Sequence, residues 1–445
     1  MSSLMISVSG IRGIVGDSFT PEAVIKFAQA FGKYCQGGKV VVGRDGRPSG
    51  PLFKHAVFSG LLSVGCEIID LDQCPTPTCE IMTKELKAAG GIIITASHNP
   101  AEWNALKFLN AQGLFLNSTE NARLMEIYQK GPLTLASWQQ VKSVNFFSDA
   151  IKTHLDRIVN LDFIKPDKIK KRKLKVVVDC VNGVGQRILP QLLEQLGCEV
   201  VKIHCEGSGI FPHPPEPVPE HLSDLANKVK EVKADVGFAT DPDVDRLAVI
   251  SEKGEPIGEE WTLALCVKFY LSKKTGNVAV NLSTSRMIDD ICNHYKVKCF
   301  RTKVGEINVT QKILEERCVI GGEGNGGVIL PALHCGRDAV VAMAMILQNL
   351  AESGKTISFL CEGIPHYHII KDKVKVKGDP DKAMLKVAKN FKGQNIDSSD
   401  GIKITFEDGW VHLRKSNTEP ILRIIAEART KDKSKEFCQK VKSYF

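Results

Sequence analysis

Three times along the chain, at intervals of about 110 residues, an apolar run suited to a buried strand is followed by an amphipathic helical stretch and further apolar runs. The first pass holds GKVVVGRDGR (38–47), GPLFKHAVFSGLLSVG, CEIIDLD and GGIIITASHNP. The second holds KLKVVVDCVNG (173–183), QRILPQLLEQLG, CEVVKIHC and ADVGFATDPDVDRLAVI, and the third EEWTLALCVKFYLSKK, GNVAVNLSTS and CVIGGEGNGGVI. Continuous apolar strands separated by helices imply a parallel or mixed sheet covered by helices. From residue 363 the pattern changes to short, segregated strands and helices, HYHIIKDKVKV, DPDKAMLKVAKNFKG and GIKITFEDGWVHLRKSNTEPILRIIAEA, as in a small α+β domain with an antiparallel sheet. At 445 residues the chain is too long for one core. The expected fold is therefore α/β: three similar mixed-sheet α/β domains, residues 1–148, 149–250 and 251–362, plus a smaller C-terminal α+β domain, residues 363–445.

Several function classes are disfavoured by composition. With 43% hydrophobic and 25% charged residues the chain reads as soluble and globular. The longest apolar run, 339–347, is far short of the roughly 20 residues a membrane crossing needs. The first residues, MSSLMISVSGIRG, lack the pattern of a secretory signal, so a cytoplasmic location is expected. Fourteen cysteines are scattered singly without a C-x-x-C pair, and the nearest cluster, Cys292, His294 and Cys299, reads as core and surface residues. The net charge of +8 is densest in KPDKIKKRKLK (165–175), but no aromatic residues interleave with it. A solvated linker entering a strand is expected there, and no nucleic-acid partner.

Four loops carry unusual chemistry. In Thr95-Ala96-Ser97-His98-Asn99-Pro100 a serine follows a buried strand and a proline stiffens the turn. Ser97 is a nucleophile, a carrier of a transferable group, or a turn residue bonded to local backbone. In Asp241-Pro242-Asp243-Val244-Asp245-Arg246 three carboxylates at alternate positions offer hard oxygen ligands suited to Mg²⁺ or Ca²⁺. The spacing imitates a calcium-binding EF-hand, but Arg246 stands where that loop needs glycine, so a Mg²⁺ site at a strand end is expected. The run 321–327, GGEGNGG, could cradle a phosphate on backbone amides, bind sugar hydroxyls through Glu323 and Asn325, or be a plain turn. Finally, Arg414-Lys415-Ser416-Asn417-Thr418-Glu419-Pro420, with Arg423 beyond, combines a guanidinium fork, hydroxyls and an amide, which suit an oxyanion receptor or an exposed polar turn; the charge favours a phosphate.

Together, TASHNP, DPDVDR, GEGNGG and RKSNTEP resemble, in order and spacing, the phosphoserine, magnesium, sugar-recognition and phosphate-binding loops of the α-D-phosphohexomutase family. The resemblance covers nearly the whole chain and implies three α/β domains and a smaller fourth around a central cleft. It implies that Ser97 carries a phosphoryl group, gives it to a hexose phosphate and recovers the other phosphoryl group after the bisphosphate intermediate turns over. Asp241, Asp243 and Asp245 would hold Mg²⁺ with the phosphoserine at Ser97. Arg414, Ser416, Asn417 and Thr418, with Arg423, would grip the phosphate that is not reacting, and Glu323 and Asn325 the ring hydroxyls. Arg12 in SGIRG and Lys107 in NALKF match the surroundings of the reacting hydroxyl, where one of them would handle its proton, and His98 is a further catalytic candidate; a lysine base would need a depressed pKa, which neighbouring cations could supply. Arg246 and Lys303 match substrate-contacting positions, although a structural role suits Lys303 and Arg44 equally.

Two departures bear on the sugar. Many relatives have a histidine in the sugar loop where this chain ends in Gly327, and Ala105 replaces a common glycine. The GEGNGG form resembles that of phosphoglucosamine mutases, whereas Asn417 is more typical of phosphomannomutase/phosphoglucomutase relatives. The expectation is a mutase of hexose 6- and 1-phosphates, best read as acting on glucosamine phosphate, with catalytic hexose 1,6-bisphosphate as activator and a monomeric or homodimeric state. The alternatives are mannose or glucose phosphate, and a non-catalytic sugar-phosphate-binding homologue.

Overall fold

The computed structural model describes residues 4–8, 10–376, 378–391, 393–415 and 421–445. They form two compact units, Met1–Thr262 with Gly326–Phe359, and Leu263–Asn325 with Leu360–Phe445.

In the first unit a seven-stranded mixed sheet runs in the order Met5–Ser7, Gly10–Ile14, Trp103–Leu109, Gly90–Ile94, Lys39–Arg44, Glu67–Gln73 and Val144–Phe146. Gly90–Ile94 is buried along its whole length, between the parallel strand Lys39–Arg44 and the antiparallel strand Trp103–Leu109, which is why its sequence is apolar without alternation. Pro21–Tyr34 begins where Thr20 accepts from the Ala23 amide and a proline occupies the first turn, and it buries Val24, Phe27, Ala28 and Phe31. A second sheet repeats the plan in the order Leu247–Ile250, Val236–Thr240, Lys175–Asp179 and Glu199–Ile203, its first strand again antiparallel to the next.

Residues 165–175 are not an open linker. Pro166–Arg172 is a helix with proline in its first turn and Ile169 buried, and the Lys165 amide donates to Gln348 Oε1 at 2.8 Å. One buried isoleucine among five charged residues left too weak an apolar stripe to signal it. The edge strand Val144–Phe146 was equally silent, being exposed throughout.

The second unit holds the parallel strands Cys299–Thr302, Val278–Asn281 and Ile320–Glu323, side by side in that order. Its C-terminal part is a five-stranded antiparallel sheet, ordered His368–Lys375, Ile421–Ala428, Gly409–Lys415, Ile402–Phe406 and Asn395–Asp397. One face, with Ile404, Val411, Leu413, Leu422 and Ile424, packs with Met384, Val387, Phe437 and Val441 from the helices Pro380–Lys389 and Lys431–Lys442. Three α/β domains of similar plan and a smaller α+β domain are thus present, as the periodicity implied.

In all three α/β sheets the unusual loop leaves the C-terminal end of the same parallel strand: Ser97 follows Gly90–Ile94, Asp241 follows Val236–Thr240 and Asn325 follows Ile320–Glu323. That end of a parallel strand is where open α/β sheets carry ligands. All fourteen cysteines are free, and among the described residues no helix is long and apolar enough to cross a membrane.

Candidate active site

Ser97 sits at a φ of +50°, a left-handed conformation that costs a non-glycine residue of order 1 kcal/mol or more. The loop is held there by Arg47, whose side chain is fully buried. Its guanidinium donates to the carbonyls of Ser97 (2.7 Å), Asn99 (2.7 Å), Pro100 (2.7 Å) and Trp103 (3.1 Å) and pairs with Asp45 at 3.0 Å. Asp45 in turn accepts from Thr95 Oγ1 at 2.6 Å, and Thr95 Oγ1 accepts the Ser97 amide at 3.0 Å. The serine hydroxyl donates to Asp241 Oδ2 at 2.8 Å and lies 3.3 Å from His98 Nδ1.

Asp241, Asp243 and Asp245 are buried, with one carboxylate oxygen from each within 4.8 Å of the other two. The loop turns through Val244 at a φ of +66°, rare for a β-branched residue, while Asp241 Oδ1 accepts the amides of Asp245 and Arg246, both at 3.2 Å. Asp243 Oδ2 accepts from Lys107 Nζ at 2.8 Å and Thr76 Oγ1 at 2.7 Å, and Arg337 donates to Asp245 Oδ2 at 2.5 Å. Burial, then the charges of Asp245 and Asp243, push Asp241 well above the usual carboxylate range. Asp243 goes the opposite way: burial works against its charge, but Lys107 and its other donors outweigh it.

Cations surround the serine. Arg12 donates to Asn99 Oδ1 at 3.4 Å, and burial and then Arg246 lower its pKa. His98 is pushed well below the ordinary imidazole value by burial first and then by Arg246, so it stays neutral. Arg246 pairs with Glu216 at 3.2 Å. Lys107 departs from expectation: the aspartates Asp243 and Asp245, rather than cations, dominate its surroundings and, against burial, raise its pKa. Arg44 lies apart from this group, paired with Asp72 at 3.0 Å.

In the second unit Glu323 is buried and its Oε1 accepts from Asn281 Nδ2 (2.8 Å) and the Gly305 amide (2.9 Å); Asn325 is half-buried two residues on. Gly321, and Gly326 in the first unit, serve packing and turning. A Cβ on Gly321 would stand 2.3 Å from the Ala279 carbonyl oxygen, and Gly326, at a φ of +86°, would stand 2.4 Å from that of Leu247. Asp400 Oδ2 links two expected ligand regions: it pairs with Arg414 Nε at 3.0 Å and accepts the Val304 amide at 2.8 Å, beside the exposed Lys303. Arg423 lies directly abreast of Arg414 on one side and Lys373 on the other, in strand register. Like charges set side by side destabilise a sheet unless an anion joins them. Ser416, Asn417 and Thr418 lie outside the described residues.

Family models described as phosphoglucomutase/phosphomannomutase alpha/beta/alpha domains I, II and III match residues 4–134, 152–254 and 259–367, and that of the C-terminal domain matches 370–443. The chain belongs to the α-D-phosphohexomutase family. It is 41% identical over 439 residues to the phosphoglucomutase/phosphomannomutase of Thermococcus kodakarensis, covering 97% of this chain and 96% of that one. To a Methanopyrus kandleri protein named "Probable phosphoglucosamine mutase" it is 37% identical, over 96% of this chain and 94% of the other. A crystal structure of a phosphoglucomutase/phosphomannomutase family protein from Burkholderia thailandensis superposes with a TM-score of 0.86 at 26% identity, covering 99% and 97% of the two chains.

The mutase is an isomerase of hexose phosphates, from a Mg²⁺-dependent family. The carboxylate loop fits such an ion: Asp243 Oδ1 and Asp245 Oδ1 are buried without a hydrogen-bond partner, a costly state unless a hard cation takes them. Sequence reasoning missed Arg47, Thr76 and Arg337, although the paired arginines of GRDGR were visible. It also missed a buried group beside this loop, in which His334 joins Glu80 (3.3 Å) to Asp338 (3.1 Å) and His154 joins Asp338 (2.8 Å) to Thr78 (2.9 Å).

Proposed function

We propose that the mutase interconverts glucosamine 6-phosphate and glucosamine 1-phosphate through a phosphoserine at Ser97 and a hexose 1,6-bisphosphate intermediate, which also serves as activator. One observation carries this reading: the Ser97 hydroxyl, held in a strained turn, lies 2.8 Å from the first carboxylate of the acidic loop. Asp241, Asp243 and Asp245, with the phosphorylated Ser97, would hold Mg²⁺, which supplies charge neutralisation at the transferring phosphoryl group.

The forward step breaks the phosphorus–oxygen bond to Ser97 and forms one to the free sugar hydroxyl, whose proton must leave. In balance that proton replaces the phosphoryl group on Ser97 Oγ; neutral His98, 3.3 Å from that oxygen, relays it, whereas Lys107 remains an ammonium on Asp243 and Arg12 a guanidinium. Arg12 and Arg246 balance the phosphoryl charge. After the intermediate turns over, Ser97 takes the other phosphoryl group. Glu323 and Asn325 bind ring hydroxyls. Arg414 and Arg423, with Ser416, Asn417, Thr418 and Lys303, hold the phosphate at rest.

The GEGNGG loop favours glucosamine. Glucose or mannose phosphate is the second reading, favoured by the identity to the Thermococcus enzyme. A coupled assay with glucosamine, glucose and mannose 6-phosphates, catalytic hexose bisphosphate and Mg²⁺ separates these readings. Ser97→Ala should lose at least about two orders of magnitude, because the carrier is removed. Equal turnover by wild type and variant on every sugar would sink the mechanism.

A further inference from the structure

A second cluster of metal-ligating side chains lies in the first unit, made of residues other than the acidic loop. Asp179 closes the strand Lys175–Asp179, and His204 follows its parallel neighbour Glu199–Ile203, so that the pairing of Asp179 with Ile203 sets them side by side. His213 returns to the same point from a loop. Asp179 Oδ2 is approached by His204 Nδ1 at 3.0 Å and by His213 Nε2 at 3.2 Å, and the three ligand atoms lie within 4.8 Å of one another.

The far nitrogens decide what this arrangement offers. His213 Nδ1 lies 2.9 Å from the Pro214 carbonyl oxygen, which can only accept, so this nitrogen carries hydrogen. His204 Nε2 faces the Asp224 carboxylate at 3.7 Å, which favours hydrogen there too. In the neutral imidazoles both lone pairs then point at one carboxylate oxygen. Two extra protons or one divalent cation can satisfy that convergence. A far nitrogen bonded to a carbonyl or carboxylate is the usual surrounding of a metal-bound histidine. Two ligands at about 2.0–2.1 Å from a tetrahedral ion are about 3.3 Å apart, close to the separations found. Asp179 Oδ1 is oriented by the Val181 amide at 2.8 Å. Asp179 is buried and the two histidine side chains are 21% and 13% exposed, which leaves a solvent side for a water ligand.

We propose that Asp179, His204 and His213 form a binding site for a first-row transition metal ion, Zn²⁺ by ligand type, distinct from the Mg²⁺ site. Two imidazoles and one carboxylate suit Zn²⁺, whereas Mg²⁺ prefers oxygen ligands alone. The ion ties down the loop 204–213. Within that loop Phe211 lies under the Arg47 guanidinium, 4.9 Å from ring centre to carbon, and Arg47 carries the Ser97 turn. The site therefore supports the catalytic turn from behind without touching the substrate.

The test uses the full chain stripped with chelator, held in excess Mg²⁺ and titrated with Co²⁺ by absorption spectroscopy and with Zn²⁺ by elemental analysis. The expected result is one tight equivalent whose Co²⁺ spectrum lacks thiolate charge-transfer bands, although Cys180 and Cys205 are near in sequence. His204→Ala and the milder His213→Gln should each weaken binding at least about 100-fold, while Asp243→Asn leaves it unchanged. Circular dichroism shows whether each variant folds, and His213→Gln keeps the test decisive if His204→Ala does not. Unchanged binding in both folded variants, a thiolate spectrum, or no bound ion in wild type would overturn the proposal, the last leaving the cluster as a pair of protonated histidines.

Discussion

Five acceptors converge on Arg47: one carboxylate oxygen and four carbonyls of the turn around Ser97. A guanidinium suits this because its five N–H donors lie in a fixed plane, and no lysine could replace it. Arg47→Met should cost about 3–5 kcal/mol, since it leaves Asp45 as an unpaired buried carboxylate and the carbonyls without donors. The check is the thermal midpoint beside the double variant Asp45→Asn/Arg47→Met, which should recover part of the loss. A midpoint for Arg47→Met equal to wild type would show that the turn holds itself. The motif TASHNP was legible as a special loop, but Arg47 lies 50 residues earlier, and nothing local in GRDGR says which arginine turns inward. Arg44, three residues before Arg47 and opposite Ile94 in the sheet, pairs with Asp72 instead.

Between elements, His334 stands among Glu80 on Thr76–Glu85, His154 on Ala150–Val159 and Asp338, whose Oδ1 caps Ala339–Ser353. Burial opposes a charge on His334, but the hydrogen bond to Asp338 and the Glu80 carboxylate 3.3 Å away outweigh it and push the imidazole up to about 9. A folded-state pKa above the unfolded value of about 6.5 stabilises the protein fully below pH 6.5. That stability is lost as pH rises toward 9. Wild type should therefore lose thermal stability between pH 6.5 and 9 more steeply than His334→Gln, measured by melting across that range; parallel curves would remove the charged histidine from the account. The elements themselves were largely readable, since buried strands and half-buried helices carry distinct periods. The helix Pro166–Arg172 and the strand Val144–Phe146 were not, because neither buries a regular apolar face.

At the scale of the whole molecule, the proposed phosphoryl carrier and the proposed phosphate grip belong to separate units. Ser97 and the acidic loop lie in the first, Glu323, Arg414 and Arg423 in the second. The two should fail differently when altered. Arg414→Gln removes a charge-assisted contact of about 1.5–3 kcal/mol, and should raise KM for hexose phosphate at least about tenfold with a smaller loss of kcat. Ser97→Ala should abolish turnover and leave calorimetric binding of the same hexose phosphate within about threefold, since uniform binding and the chemical step are separable. Loss of binding in Ser97→Ala equal to that in Arg414→Gln would contradict this division.

The order of apolar runs and helices determined the α/β plan and the α+β end, and four short loops marked the candidate site, while the reaction class came from the family those loops resemble. Those signals are local, because strand and helix periods and metal-ligand spacing are written in neighbouring residues. Tertiary structure alone decided which groups meet: Thr76 and Asp243, 167 residues apart, Arg337 and Asp245, 92 apart, and the charged state of Lys107 beside carboxylates. It also decided that Asp179 and His204 would be neighbours, because parallel pairing brings two strand ends together whatever the chain does between them.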